Sequence, residues 1–150
     1  MTQFIIRHCR RGDLSNLLEL CRKHADHEQT SFDITNKEYL LTQAIFNDPP
    51  RLHCWVVEIE NICVGYCTYT FDFSTWDARR FLYLDCLYLE AACRGMGIGK
   101  EIMSKLIQEA QNNHCVNIQW QTPTFNIDAI KFYHAIGAKA KQKERFTYEL

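Results

Sequence analysis

The chain has 150 residues, of which 47% are hydrophobic and 23% charged, and its formal net charge is −1. That length suits one domain spanning residues 1–150, able to bury most of its apolar surface without metals or cross-links. A charge balance this close to neutral gives no electrostatic ground for expecting a nucleic acid or a membrane surface as partner.

The opening Met1 to Arg7 lacks the basic region, apolar run and small-residue cleavage site of a signal peptide, and no stretch reaches about 18 apolar residues. A cytoplasmic protein is expected. The eight cysteines lie in apolar, regularly patterned segments with no C-x-x-C pair, which reads as reduced and mostly buried thiols. His24, His27 and Glu28 have a ligand-like spacing but no second cluster, so they are read as lining a helix end and no metal is expected.

In chain order, residues 3 to 9 read as a strand, after which Asp13 can cap a helix with the stripe Leu14, Leu17, Leu18 and Cys21. Thr35 with Glu38 forms a capping-box pattern for a second helix, with Leu40, Leu41, Ala44 and Ile45 inward, and Asp48-Pro49-Pro50 stops it. Residues 52 to 59, 62 to 73 and 79 to 89 then read as an antiparallel meander. From Gly97 to Asn112 one helical face holds Ile98, Ile102, Met103, Leu106, Ile107 and Ala110. A short strand over residues 116 to 121 follows, then a helix over 127 to 136 ended by Gly137 in the left-handed conformation. A last strand is predicted over roughly residues 139 to 149.

The segment Arg94-Gly95-Met96-Gly97-Ile98-Gly99-Lys100 places three alternate glycines at the start of the longest helical pattern. Glycines there let backbone N–H groups approach an anion, and the helix start adds unsatisfied donors and the positive end of its dipole. The spacing is wrong for a Walker A loop, and Glu101 stands where its magnesium-binding hydroxyl belongs. It is wrong for the dinucleotide fingerprint too, since Lys100 occupies the place of the third glycine. A phosphate ligand other than ATP or NAD is implied.

The element order, with Arg94, Gly97 and Gly99 between a long strand and a long helix, resembles the GNAT superfamily of acyl-CoA N-acetyltransferases. Tyr83 to Leu89 is similar to the family's strand that pairs with the pantetheine arm. Asn126-Ile127-Asp128-Ala129-Ile130-Lys131-Phe132-Tyr133 with Gly137-Ala138 resembles its late helix and exit. Within the superfamily, Phe4-Ile5-Ile6-Arg7, Glu28-Gln29 and Phe73-Ser74-Thr75-Trp76 resemble the spermidine/spermine and thialysine N-acetyltransferase group and its bacterial relatives.

The resemblance implies an α/β fold: a mixed, mostly antiparallel sheet of six to seven strands flanked by four helices and splayed between its fourth and fifth strands. It implies acetyl transfer from acetyl-CoA to a primary amine of a small molecule by direct attack, and a homodimer. The diphosphate would be held by backbone N–H groups of Gly95, Met96, Gly97, Ile98, Gly99 and Lys100, with Arg94 or Lys100 as charged neighbours. Leu87, Tyr88 and Leu89 would hold the pantetheine amides as another strand would, and Asn126, Ala129, Phe132 and Tyr133 complete the coenzyme side.

An amine of reference pKa about 10.4 arrives protonated, so a base or a water chain must act. Asp85 takes the position where the related polyamine enzymes carry Glu; its other reading is a carboxylate paired with Arg79 or Arg80. Tyr133, with a reference pKa near 10, can donate a proton to the departing thiolate, or can serve as a core aromatic. Asn126 either caps its helix or binds the pantetheine. On the acceptor side the resemblance points to Glu28, Trp76 and Asp85, with Asp26, Asp33, Tyr39 and Asp72 in the same segments. Acetylation of a protein lysine or N-terminus, and a coenzyme A-binding regulatory module without catalysis, remain as alternatives.

Overall fold

The computed structural model describes residues 2–150. Five strands lie side by side in chain order: β1 (Ile5–His8), β2 (His53–Ile59), β3 (Ile62–Ser74), β4 (Arg79–Leu89) and β5 (Ile118–Gln119). The pairs β1–β2, β2–β3 and β3–β4 are antiparallel, and β4–β5 is parallel. Four helices complete the fold: α1 (Leu14–His27), α2 (Lys37–Phe46), α3 (Ile98–Asn112) and α4 (Ile127–Ala135).

Alternation along β2 sorts the core into two layers. Trp55 and Val57 point to one face with Ile102, Met103 and Leu106 of α3, while Cys54 and Val56 point to the other with Leu14, Leu17 and Leu20 of α1. The α3 stripe packs as its period requires, apart from Ile107, which is exposed because it lies at the margin of the face.

Two bulges interrupt the alternation. In β3 the register slips at Val64, next to Gly65, where a Cβ would stand 2.6 Å from Leu89 Cδ2 and 2.7 Å from the Tyr88 carbonyl oxygen. In β4, Cys86 faces Thr68 and Leu84 faces Tyr69, so Asp85 is an extra residue without a partner. Side-chain parity therefore flips at Asp85. Leu82 and Leu84 before it, and Leu87 and Leu89 after it, all share the α3 face, while Cys86 and Tyr88 turn to the α1 face.

Several expectations are corrected. Asp13 makes no side-chain cap to α1. It receives two hydrogen bonds from the Arg7 guanidinium, at 2.7 and 3.0 Å, and one from the Arg10 N–H at 2.7 Å. Arg7 also reaches Glu58 at 2.8 Å, so an ion-paired cluster rather than a cap ties β1 to α1 and β2. The Thr35–Glu38 capping box does not form, because α2 begins after Asn36, which is itself left-handed (φ 59°). Leu40 is exposed, leaving Ile45 as the buried anchor of α2.

Among the described residues the sheet has five strands instead of six or seven. Residues 139–150 form no strand and stay exposed, since β5 pairs at just two positions and offers no ladder for another strand. The splay between the fourth and fifth strands is present: β5 contacts β4 at Leu82 and Tyr83 and then leaves it.

Candidate functional site

That departure opens one edge of β4. The Leu82 N–H donates to the Asn117 carbonyl and the Arg80 carbonyl accepts from the Val116 N–H, so before the bulge the even residues point their backbone groups toward β5. After the bulge the Glu90 N–H donates to Val64 in β3, so alternation turns the backbone groups of Leu87 and Leu89 outward. A stretch of unpaired strand edge results, and Arg94 closes its end by donating from Nε to the Leu89 carbonyl at 3.0 Å.

The glycine bend follows directly. Gly95 and Gly97 have φ of 79° and 83°, a conformation that costs other residues roughly 1–2 kcal/mol. Nothing lies within 4 Å of the place where a Cβ would stand at either position. Gly97 is the N-cap of α3, and its carbonyl accepts from the Glu101 N–H. The N–H groups of Gly95 through Lys100 find no backbone acceptor among the described residues, as the first turn of a helix requires. Gly99 differs from its neighbours: a Cβ there would come 3.2 Å from Phe132, so its bareness seats α4 against α3.

The other expected end of the site is built from side chains of distant elements. Glu28 closes α1, and burial raises its carboxyl above the usual range, with the Asp85 charge adding to the rise and His27 opposing it. Burial also pushes the Tyr133 phenol up to about 12, with a further contribution from Glu28. Glu28 thus senses the Asp85 charge and Tyr133 that of Glu28, although the three come from α1, β4 and α4. Tyr133 is held edge-on by Trp120, ring centroids 5.1 Å apart. Asp85 is exposed, and Arg80 lies instead over the Phe71 ring at 4.1 Å, so no ion pair ties Asp85 to its own strand among the described residues.

Behind Glu28 stands a buried chain that sequence reasoning missed. His24 Nε2 is 3.2 Å from Glu28 Oε2, and His24 Nδ1 is 2.7 Å from the Tyr66 hydroxyl. The His24 ring stacks on Tyr88 at 5.3 Å. Desolvation lowers the His24 pKa to about 4, with the His27 and Arg94 charges acting in the same direction, so the imidazole is neutral at pH 7. Spacing of His24 and Glu28 by one helical turn was the available signal.

Other candidates fall elsewhere. Trp76 sits at the tip of the β3–β4 hairpin, 97% exposed, roughly 20 Å of strand away from Asp85. Asp26 pairs with Arg22 at 2.8 Å, and Asp33 accepts from the Thr35 N–H. Tyr39 and Asp72 are exposed. Asn126 does not cap α4; its side-chain amide donates to Thr122 Oγ1 at 3.3 Å. Ala129 and Phe132 lie on the face of α4 turned toward Gly99 and the sheet, both half-buried.

The sequence pattern of the acetyltransferase (GNAT) family matches residues 13–138. The chain belongs to that family. This acetyltransferase is 33% identical to the thialysine N-epsilon-acetyltransferase of Bos taurus over 147 residues, 93% of this chain and 86% of the relative. Spermidine/spermine N(1)-acetyltransferase-like protein 1 of Homo sapiens is 29% identical over 92% of this chain but 21% of its own length. An aminoglycoside acetyltransferase from an uncultured soil metagenomic sample, solved with trehalose, shares the fold at a TM-score of 0.81 and 20% identity, over 98% of this chain and 96% of its own. An aminoglycoside N-acetyltransferase solved in complex with CoA superposes at 0.81 and 14% identity, covering 99% and 96% of the two chains.

The family uses acetyl-CoA, and the site fits that coenzyme. Open space above Gly95 and Gly97 and free N–H groups at the start of α3 suit a diphosphate, while the edge left open at Leu87 and at the Leu89 N–H suits an amide-bearing arm. Bound acetyl-CoA supplies the activated acetyl group. Among the described residues no group of three His, Cys, Asp or Glu side chains is placed to hold a metal ion, and no helix is long and apolar enough to cross a membrane.

Proposed function

We propose that this acetyltransferase, one domain over residues 1–150, acetylates the primary amine of a cationic small molecule such as a polyamine, a diamine or an amino-acid-like amine. The observation that carries the reading is that Glu28 lies within electrostatic reach of both Asp85, at the bulge of β4, and the half-buried Tyr133 of α4. Relatives named for thialysine and for spermidine/spermine support the same acceptor class.

Gly95 to Lys100 hold the diphosphate through backbone donors, with Arg94 and Lys100 as cationic neighbours. Leu87, Tyr88 and Leu89 present strand edge to the pantetheine arm, and Asn126, Ala129 and Phe132 bound it from α4. Glu28 and Asp85 draw in the ammonium, and Asp85, placed at the bulge, takes one proton from it directly or through water. The freed nitrogen attacks the acetyl carbonyl carbon, forming the C–N bond as the C–S bond breaks. Tyr133, kept protonated by burial, donates its proton to the departing thiolate and regains one as the nitrogen sheds its second proton.

We also infer a homodimer located in the cytoplasm. Eight free cysteines support the location. An exposed alternating run, Phe146, Tyr148 and Leu150, supports pairing with a second copy of the chain.

Thiol release measured with a panel of small amines and lysine peptides tests the reading. Saturable turnover with a small cationic amine is expected. Turnover confined to peptides, or coenzyme A binding without turnover, would contradict it.

A further inference from the structure

The reaction as described leaves the buried Tyr66–His24–Glu28 chain without a task. Tyr66 is 2% exposed and His24 9%, and both face the α1 side of the sheet. A buried polar series of this kind is costly unless its members find partners. The Tyr66 hydroxyl and His24 Nδ1 satisfy each other at 2.7 Å, and His24 Nε2 has the Glu28 carboxylate 3.2 Å away. Burial, reinforced by the Cys86 and Cys21 thiols, drives the Tyr66 phenol far above its ordinary value, so its hydroxyl keeps its proton and donates it to His24 Nδ1. With Nδ1 accepting and the ring neutral, the single imidazole proton resides on Nε2, facing Glu28 Oε2.

We propose that His24 is a positioning residue for the acceptor amine: Tyr66 fixes its tautomer, and its Nε2–H fixes Glu28 with Oε1 left free to accept from an incoming ammonium. Tyr88, stacked on the His24 ring from β4, holds the imidazole plane and so couples the strand that carries Asp85 to the helix that carries Glu28. Charged and titratable neighbours are His27 and Cys21 on α1, Asp85 and Cys86 on β4, and Arg94 beyond it. Among the described residues none of them is within ion-pair distance of Glu28, where the imidazole is the neighbouring nitrogen. Without His24 the carboxylate is a side chain with free rotamers beside a second negative charge, and each encounter with substrate must order it again.

The inference rests on Glu28 being an acceptor-side residue, and the test separates the two. Steady-state kinetics of the full-length enzyme with acetyl-CoA and an accepted amine are compared for wild type, His24→Leu, His24→Gln and Tyr66→Phe. His24→Leu is expected to raise KM for the amine about tenfold, the scale of one hydrogen bond to a charged group, with kcat and KM for acetyl-CoA nearly unchanged. His24→Gln, whose amide can still donate, recovers part of the loss, and Tyr66→Phe shows a smaller rise.

Nitrogen-15 spectra of the imidazole should show a neutral Nε2–H form of His24 from about pH 5.5 to about pH 8. An Nδ1–H tautomer, a midpoint near the ordinary histidine value, or a folded His24→Leu with the amine KM of wild type would overturn the positioning role. Absence of turnover in wild type with every amine would overturn the acceptor reading itself.

Discussion

The proposed coenzyme end and the proposed acceptor end of the site are made of different materials. At Gly95–Lys100 and along Leu87–Leu89 a ligand would meet backbone, whose geometry is set by two left-handed glycines, a helix start and a bulge. At the other end it would meet side chains, Glu28, Asp85 and Tyr133, each delivered by a separate element, with Glu28 and Tyr133 tuned by burial. Backbone sites tolerate most side-chain changes and fail when a bare position acquires a Cβ. Side-chain sites respond to pH and to single-atom substitutions.

The contrast can be broken first through pH. His24 titrates at about 4 in the folded chain against 6.5 for the free group, so the folded state binds fewer protons and its stability is complete above pH 6.5. That stability is lost as pH falls toward 4, by about 3 kcal/mol at most. Denaturant titrations across that range should show the decline in wild type and its absence in His24→Leu; equal slopes would contradict a neutral buried imidazole. Asp13 adds a loss at lower pH, because its pairing with Arg7 depresses its carboxyl and the benefit disappears as pH falls through that depressed value.

Next in size, Tyr133→Phe should lower kcat about 10²-fold while coenzyme A affinity, followed by calorimetry, stays near wild type. Gly97→Ala should do the reverse, weakening coenzyme A roughly tenfold through left-handed strain of about 1–2 kcal/mol, with the amine KM unchanged. Equal losses in both ligands for either variant would show that the two ends are not separable. The smallest effect belongs to Trp76→Ala: exposed at a hairpin tip, it should change stability by less than about 0.5 kcal/mol and leave the amine KM of a monomeric preparation unaltered.

The backbone end was the legible end. Alternate glycines followed by the Ile98, Ile102, Met103, Leu106 and Ala110 stripe state a bend and a helix start in local terms, and Gly137 marks the exit of α4 with φ 93°. The acceptor end was less so, because contact between residues 24, 66 and 88 depends on strand register. A period-two reading of β4 puts Leu84 and Cys86 on one face, and only the extra residue at Asp85 separates them. Capping patterns misled for a related reason: Asp13 and Thr35 have cap-forming side chains, but Arg7 claimed the first and the left-handed Asn36 moved the helix start past the second. The final strand over residues 139 to 149 does not form: its alternation is confined to Phe146, Tyr148 and Leu150, and the neighbouring β5 pairs at just two positions.

Amide chemical-shift mapping during a titration with coenzyme A should show the largest changes at Gly95 to Lys100 and at Leu87 and Leu89, with Trp76 and the Thr2–Ile5 segment silent. Saturable binding that leaves the glycine bend unmoved and shifts another surface would contradict this placement of the coenzyme.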